Sequence, residues 1–320
     1  MNKKIMLFIS VILLSGIVCT TRRAIHYYNE TDNLQVANVK YAGVRSSNYG
    51  IRPFPDPAGW QTAMEKMSSY FDHSTPCGIW IVGRLNRSTS CRLEFPSDDN
   101  QYSNIVFNET DKHEEYLSYF DKVGIEVFLQ VEPANANMNQ LIDLVLNRYK
   151  HHKCVIGFGI DVEWYRESEN PDWGVKVEDD SAKVWEARVK SHNSNYRLFL
   201  KHWDRDWMPK KYRGDIIFVD DSQELQDFKK MTEEFIIYWA DYFKPNTIFC
   251  QIGYRSDRPW WEKLTTPPRD IGMTIASNID QDCGIFWVDF TLRDVLPTSP
   301  IKNEQSQDQI MEGGTIEKKN

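Results

Sequence analysis

The chain has 320 residues, of which 41% are hydrophobic and 13% aromatic, so it can bury a large core and is not predicted to be disordered. Its 38 Lys and Arg residues against 46 Asp and Glu residues give a formal charge of -8, and no basic segment is interleaved with aromatic residues. Nucleic acid is therefore excluded as an expected partner, because binding to phosphates needs clustered positive charge.

The N-terminus has the pattern of an export signal. Lys3 and Lys4 precede an apolar run at residues 5–19, which is short for a membrane span. Residues 1–21 are predicted to be a signal peptide or, since no clear small-x-small cleavage site is present, an uncleaved N-terminal anchor. We accordingly expect a secreted or extracellular protein, or one tethered to a membrane by this segment. Residues 22–38 form a polar leader.

Eight short apolar runs follow along the chain, and their apolar character is continuous rather than alternating. Such runs are typical of parallel strands that are covered on both faces. The predicted strands are residues 41–45, 77–85, 125–133, 154–164, 196–203, 215–221, 247–254 and 283–290. Amphipathic helices are predicted between them at residues 58–71, 112–122, 138–149, 181–190 and 223–243, with a less regular stretch after Trp260.

This alternation predicts an α/β fold, a single (β/α)8 TIM-type barrel over residues 39–297. A doubly wound nucleotide-binding sheet is disfavoured because the sequence contains no GxGxxG or GxxxxGK[ST] loop. Residues 298–320 are polar and nearly free of large apolar side chains, so they are predicted to form a disordered tail.

The cysteines do not indicate a metal site. The sequence has no CxxC or HExxH spacing, so neither a metal nor another cofactor is expected. Cys77 and Cys91 flank a predicted strand and loop, and they either form a disulfide in an oxidising compartment or remain separate buried thiols. Cys154 and Cys250 lie in or beside apolar runs and are predicted to be core residues.

Polar residues collect at the C-terminal ends of the predicted strands, where barrel enzymes have their active sites. These residues are Glu132, Asp161, Glu163, Lys201, His202, Asp204, Asp220, Asp221, Gln251, Tyr254, Trp287 and Asp289. Carboxylates from several strands at one rim would repel one another unless a substrate, a proton or a cation compensates. His151 and His152 lie at a helix end on the opposite rim, where contacts with the helix dipole explain them without catalysis.

The segment GFGIDVEWY contains the clearest pair of acids, Asp161 and Glu163. Two positions apart on a strand, they would point to the same face, about 7 Å from each other. Trp164, directly after Glu163, would shield them partly from water. Their proton affinities should therefore differ, and the one that holds a proton at neutral pH can serve as a general acid.

Several neighbouring residues allow two interpretations. His202 is either a general base or a hydrogen-bonded wall residue. Asp221 could cap the helix predicted from residue 223, which favours Asp220 as the site acid.

Aromatic residues near the predicted mouth offer faces for sugar rings, although core packing accounts for part of the set. They are Trp164, Tyr165, Trp203, Trp207, Tyr254, Trp260, Trp261 and Trp287.

The sequence GFGIDVEW resembles the fourth-strand motif D-x-x-D-x-D-x-E of glycoside hydrolase family 18, the chitinases and endo-N-acetylglucosaminidases. Asp161 and Glu163 match the last two acids of this motif, whereas Ile156 and Gly159 replace the first two. Trp287 resembles the eighth-strand tryptophan of that family. The Asp-Val-Glu triplet is also similar to the D-x-E of family 25 lysozymes, although the first predicted strand lacks their further Asp.

A second likeness to family 18 lies on the sixth predicted strand, where Asp220 resembles the acid of that family and Val219 replaces the usual tyrosine.

The family 18 resemblance implies an exported glycoside hydrolase that acts on a polysaccharide or glycan with N-acetylated amino sugars. Glu163 would protonate the glycosidic oxygen, and Asp161 would orient the acetamido group that attacks the anomeric carbon. The predicted substrate-binding residues are Trp287, Tyr254, Asp220, Gln251, Glu132, Trp164 and His202. Two alternatives stay open: a catalytically inactive barrel that binds glycans, and a hydrolase with a divalent metal held by Glu132, Asp161 and Asp220.

Overall fold

Eight parallel strands close into one barrel. The computed structural model describes residues 25–29 and 38–299. Its strands are β1 (Val39–Ser46), β2 (Thr75–Asn86), β3 (Ser90–Leu93), β4 (Ile105–Phe107), β5 (Glu126–Val131), β6 (Val155–Asp161), β7 (Arg197–Lys201), β8 (Ile217–Asp220), β9 (Ile248–Ile252) and β10 (Cys283–Val288). Neighbours in the barrel follow the order β1, β10, β9, β8, β7, β6, β5, β2, and β1 pairs with β2 to close the ring. The predicted (β/α)8 fold is confirmed.

A short excursion after β2 was not predicted. There β3 pairs antiparallel with the end of β2, and β4 continues parallel to β3. These strands have only 4 and 3 residues, which is too short for an apolar pattern to be recognised.

Helices cover the outside of the barrel. They are α1 (Pro57–Ser68), α2 (Glu114–Val123), α3 (Met138–Tyr149), α4 (Asp179–His192), α5 (Phe228–Thr232), α6 (Asp241–Phe243), α7 (Arg258–Trp261), α8 (Pro267–Ala276) and α9 (Leu292–Val295). A π-helical stretch, Glu233–Ala240, joins α5 to α6. This long helical segment begins later than predicted, because its N-cap is Asp227, whose side chain accepts a hydrogen bond from the backbone amide of Lys230.

The barrel interior below the C-terminal ends of the strands is filled by aromatic side chains. The rings that meet there are Tyr41, Phe128, Phe199, Phe249 and Phe286. The centroid of Phe128 lies 5.4 Å from that of Phe249 and 5.9 Å from that of Phe199. Gly159 in β6 makes room for them, because a Cβ atom at this position would lie 1.9 Å from the Phe199 ring. A second, larger apolar core separates the strands from the helices.

The described cysteines are buried free thiols. Cys77 faces the barrel interior, whereas Cys91 belongs to the outer core, so the two do not form a disulfide and the alternative of separate thiols is correct. Burial raises the pKa of both thiols. The predicted core positions of Cys154 and Cys250 are confirmed.

The predicted signal peptide or anchor at residues 1–21 lies outside the described residues, as does nearly all of the predicted tail at 298–320. Part of the leader is described: the amides of His26 and Tyr28 donate hydrogen bonds to Asn278 Oδ1 and Thr274 Oγ1, at 2.9 and 3.2 Å. In the ranges 25–29 and 38–299, no helix combines the length and apolarity that a membrane crossing requires.

Candidate active site

The barrel interior is polar near the C-terminal ends of the strands. Side chains alternate along a strand, so the residue two positions after an inward-facing ring also faces inward. Phe128, Phe199 and Phe249 are such rings, and they form the top of the apolar layer. The side chains placed above this layer are those of Gln130, Asp161, Lys201 and Gln251. Each of these four residues is at most 2% exposed, so their charges and hydrogen bonds must be satisfied within the protein.

Lys201, at the end of β7, is the centre of a buried group of carboxylates. Its Nζ atom lies 3.1 Å from Asp161 Oδ1 and 3.7 Å from Glu163 Oε2. It also forms a close ion pair with Asp221. Gln130 Nε2 donates a hydrogen bond of 3.1 Å to Asp161 Oδ2, so this carboxylate is held from two sides. We refer to Lys201, Asp161, Glu163 and Asp221 as the Lys201 cluster.

Three carboxyl groups share one ammonium group in this cluster. Burial, together with the charges of Asp221 and Glu132, raises the pKa of Glu163 to about 7, although Lys201 opposes the shift. Burial and the neighbouring carboxylates also raise the pKa of Asp161. Burial disfavours the charge of Lys201, but its carboxylate partners outweigh this effect and raise its pKa. Lys201 therefore stays charged, and the acids retain a proton near neutral pH.

A second network lies at the end of β1. Arg45 is 3.5 Å from Asp289 and donates a hydrogen bond of 2.7 Å to Tyr49 Oη. Tyr49 Oη in turn donates to Glu132 Oε1 at 2.6 Å. Because the charge of Glu132 contributes to the raised pKa of Glu163, the two networks act on the same part of the barrel mouth.

A cleft of about 480 Å³ opens beside the Lys201 cluster. It is lined by Glu163, Trp203, Asp204, Ser222, Gln223, Glu224, Leu225, Glu234 and Tyr238. The side chain of Glu163 is 21% exposed, whereas those of the other three cluster members are at most 5% exposed. The cluster therefore reaches the cleft through Glu163.

Trp287 was predicted to bind substrate near the mouth, and this prediction is wrong, because Trp287 does not line the cleft. It follows the inward-facing Phe286 by one residue, so its ring faces the helices outside the barrel. The ring is completely buried and packs edge-on against Trp261, with centroids 5.3 Å apart. Its Nε1 atom donates a hydrogen bond of 2.9 Å to Thr291 Oγ1. In this position the ring cannot stack on a sugar, and it contributes to the core instead.

Of the two adjacent aspartates at the end of β8, Asp221 belongs to the site, whereas the predicted residue, Asp220, does not. Asp220 follows the inward-facing Val219, so its side chain points outward, where Oδ1 accepts a hydrogen bond of 2.8 Å from the Ser222 amide. Burial raises the pKa of Asp220. Asp221, for which the sequence also allowed a helix-capping role, faces the mouth and pairs with Lys201. The acid that β8 contributes to the site is therefore Asp221.

His202 is a wall residue rather than a base. The Asp204 amide donates to His202 Nδ1 at 2.7 Å, so the ring proton is on Nε2, which donates to the carbonyl of Trp173 at 3.0 Å. The ring stacks on Trp203 and Trp207, with centroid distances of 5.1 and 5.2 Å. Burial lowers the pKa of His202 to about 4, so the ring is neutral and both nitrogens are engaged.

The other predicted substrate-binding residues lie at or near the mouth. Tyr254 Oη donates to Gln251 Oε1 at 3.4 Å, and burial raises the pKa of this tyrosine. Glu132 accepts a hydrogen bond of 2.8 Å from the Leu85 amide in addition to the one from Tyr49. Trp164 is half-buried in the 3-10 turn that carries Glu163, and it is not among the residues that line the cleft.

The mouth does not provide the metal site that the sequence left open. Asp220 faces outward, Asp161 is paired with Lys201, and Glu132 is bonded to Tyr49, so these three acids do not converge. The groups of described residues that do bring three ligand atoms together lie elsewhere, on α2 and in the loop after α3.

The sequence placed Lys201 and Asp221 at the predicted rim without a role in the site, and it did not indicate Arg45 or Tyr49. A signal existed for Lys201, because a lysine within a strongly apolar strand is buried and must find a carboxylate partner. Tyr49 had no comparable signal, since its contact with Glu132 depends on the path of the loop after β1.

No protein-family model matches the chain, and no curated protein does either. Among solved structures it is similar to that of "a putative alpha-L-fucosidase from Bacteroides thetaiotaomicron", with a TM-score of 0.48 and 11% sequence identity. The similarity covers 81% of this chain and 91% of the other. A match at this level says nothing about activity, and the resemblance to families 18 and 25 stays confined to the motif residues.

Proposed function

We propose that this chain is a glycoside hydrolase whose general acid is Glu163. One observation carries the proposal: Glu163 borders an open cleft and has a pKa of about 7. An acid of this strength is about half protonated at pH 7, and it can give its proton to a glycosidic oxygen in the transition state.

The neighbouring Lys201 stabilises the ionised form of Glu163 after it has given up its proton. When Glu163 loses its proton, the resulting carboxylate lies 3.7 Å from the ammonium group of Lys201. This contact stabilises the anion, and in a partly desolvated site the attraction is stronger than in water. The two remaining carboxylates of the cluster oppose it, which keeps the pKa of Glu163 at about 7.

The lining of the cleft suits a carbohydrate. Trp203 and Tyr238 contribute aromatic rings, whose faces stack on the C–H surfaces of sugars. The charged residues of the lining are all acids, namely Glu163, Asp204, Glu224 and Glu234. The negative potential of these groups when ionised, Glu163 included once it has given up its proton, would stabilise the positive charge that develops on a sugar ring when the glycosidic bond breaks.

We extend the proposal to substrates with N-acetylated amino sugars, on the strength of the Asp-Val-Glu triplet. Asp161 is fully buried, and its two oxygens face Gln130 and Lys201. Direct contact with an acetamido group therefore requires this carboxylate to turn toward Glu163 when substrate binds.

We also propose that the protein is exported and meets a polysaccharide or glycan outside the cell, as the charged and then apolar N-terminus suggests.

A glycan-binding barrel without turnover is the second candidate. It is favoured by the position of Gly159, where the family 18 motif has an acid. In this chain the ring of Phe199 occupies the space that such a side chain would need. The chain therefore lacks an acid that the family places below Asp161.

The test is a pair of substitutions measured on a substrate that the parent protein hydrolyses. Glu163→Gln should keep the shape of the site and the binding of oligosaccharide while lowering turnover by about 100-fold or more. Aryl glycosides with an activated leaving group need less protonation, so they should partly restore the activity of Glu163→Gln. Asp161→Asn should show no such rescue, and its loss should be largest on N-acetylated substrates.

Glu262→Gln provides the matched control, because Glu262 is exposed and lies outside the cleft. Full activity of both Glu163→Gln and Asp161→Asn would show that the two acids have no catalytic role and would refute the proposed mechanism. Binding of oligosaccharides by the parent without hydrolysis would establish the second candidate.

A further inference from the structure

Two adjacent histidines on the rim away from the cleft meet two carboxylates of α2. His152 Nδ1 lies 2.8 Å from Asp121 Oδ2, and His152 Nε2 lies 3.3 Å from Glu114 Oε2. His151 Nε2 lies 3.8 Å from Glu114 Oε1. Both histidines belong to the loop between α3 and β6, so these contacts join that loop to α2. The proposed hydrolase mechanism does not involve any of the four residues.

The hydrogen bonds determine where the proton of the His152 ring is. Asp121 also accepts a hydrogen bond of 2.8 Å from the Cys154 amide. The other oxygen of Asp121, Oδ2, is the atom that faces His152 Nδ1, and a carboxylate can only accept a hydrogen bond. In this pairing His152 Nδ1 carries a proton and donates it to Asp121. In a neutral ring, Nε2 then presents its lone pair to Glu114, which is a second acceptor.

Two acceptors at this distance need either a proton or a metal cation between them. We propose that a divalent transition-metal ion of the Zn²⁺ class takes this position, bound by Glu114, His151 and His152. The three ligand atoms lie within 4.8 Å of one another. Tetrahedral ligands at bond lengths of about 2.0–2.1 Å are separated by roughly 3.3 Å, so only a small movement of the exposed His151 ring is needed.

The surroundings have the further features of a metal site. The two imidazole rings lie side by side, with centroids 4.1 Å apart, and the Nε2 atoms of both face the carboxylate of Glu114. Asp121 acts as a positioning residue, because it fixes the tautomer in which His152 Nε2 is free to bind a metal. The side chains of His151 and Glu114 are 59% and 45% exposed, which leaves a path for the ion and a fourth position for water.

The site is expected to be structural. It would tie the start of α2 to the loop that leads into β6, at the N-terminal end of the barrel strands, where stability rather than catalysis is determined. Spacing could not reveal it, because the ligands are two adjacent histidines and a glutamate from a different helix.

The experiment uses tag-free protein that has been freed of metal with a chelator. Calorimetric titration with Zn²⁺ should show one site, Co²⁺ should develop the visible absorption of a low-coordinate complex, and Zn²⁺ should raise the thermal midpoint. His151→Ala and Glu114→Gln should each weaken Zn²⁺ binding at least 10-fold. Asp121→Asn, which removes no ligand, should weaken it by about 10–100-fold.

His192→Ala is the matched control, because His192 pairs with one carboxylate, Asp143, which it shares with Arg188. This variant should bind Zn²⁺ as the parent does. Circular dichroism should verify the fold of every variant. If the folded parent does not bind Zn²⁺, or if the ligand variants bind it as tightly as the parent, a proton alone lies between His152 and Glu114 and the proposal is wrong.

Discussion

Glu163 and Glu94 are the same side chain in two opposite electrostatic environments. Glu94 follows β3 and is contacted by Arg84 at 3.0 Å, Lys112 at 3.6 Å and His113 at 3.5 Å. Burial would raise its pKa, but these partners lower it to about 2. Glu163 is also shielded from water, yet its pKa is raised to about 7.

The difference shows that burial alone does not decide the protonation of a carboxyl group. Around Glu94, several donors converge on one carboxylate, so its charge is compensated and even exceeded. In the Lys201 cluster, three carboxyl groups compete for one ammonium group, so a proton must supply the missing positive charge. The first arrangement stabilises the fold, whereas the second produces an acid that can react.

The largest expected effect comes from removing the only cation of the Lys201 cluster. Lys201→Met would leave three carboxyl groups without a counter-charge and should destabilise the protein by about 3–5 kcal/mol at neutral pH. Urea unfolding measures this change. Lys229→Met is the control, because Lys229 is exposed and pairs only loosely with Glu233, and it should change stability by about 0.5 kcal/mol or less. A Lys201→Met protein as stable as the parent would show that the cluster is not compensated by this lysine.

A smaller effect separates the two glutamates by the sign of their pH dependence. The pKa of Glu94 is depressed from 4.5 to about 2, so its contribution to stability is present above about pH 4.5 and is lost as the pH falls toward 2. Glu94→Gln should therefore cost on the order of 2 kcal/mol at neutral pH. The pKa of Glu163 is raised from 4.5 to about 7, so the parent is penalised as the pH rises through this range.

Glu163→Gln removes that penalty, because the amide cannot ionise. We expect this variant to gain stability relative to the parent by on the order of 2 kcal/mol between about pH 5 and about pH 8, as followed by urea unfolding. Glu94→Gln should show no such gain. Changes of the same sign in both variants at about pH 8 would remove the distinction between the two sites.

The barrel could be predicted from sequence because its strands are continuous apolar runs separated by amphipathic helices, a pattern that depends on composition and period. Because the apolar runs are continuous, the sequence did not indicate which side chains face into the barrel and which face the helices. Asp220 and Asp221 sit at the end of a strand that is buried on both sides, so no alternation of polar and apolar residues showed which of them points inward. The same reason explains the error at Trp287, whose neighbours on both sides are apolar.

The acids of the site were partly predictable. Asp161 and Glu163 were identified because they interrupt an apolar run two positions apart. Their partners come from other strands, so Lys201 and Asp221 could be connected to them only through the strand register that places Asp161 beside Lys201. The network of Arg45, Tyr49 and Glu132 depends on loop conformation, which local sequence does not determine.

The most direct test of the central claim is the titration of the two glutamates themselves. Protein labelled with ¹³C at the glutamate side-chain carboxyl carbon can be followed by NMR, and the signals can be assigned by their disappearance in Glu163→Gln and Glu94→Gln. We expect a midpoint of about 7 for Glu163 and about 2 for Glu94. A midpoint for Glu163 at or below the ordinary value of 4.5 would contradict the proposed mechanism, because Glu163 would then be ionised near neutral pH and could not donate a proton.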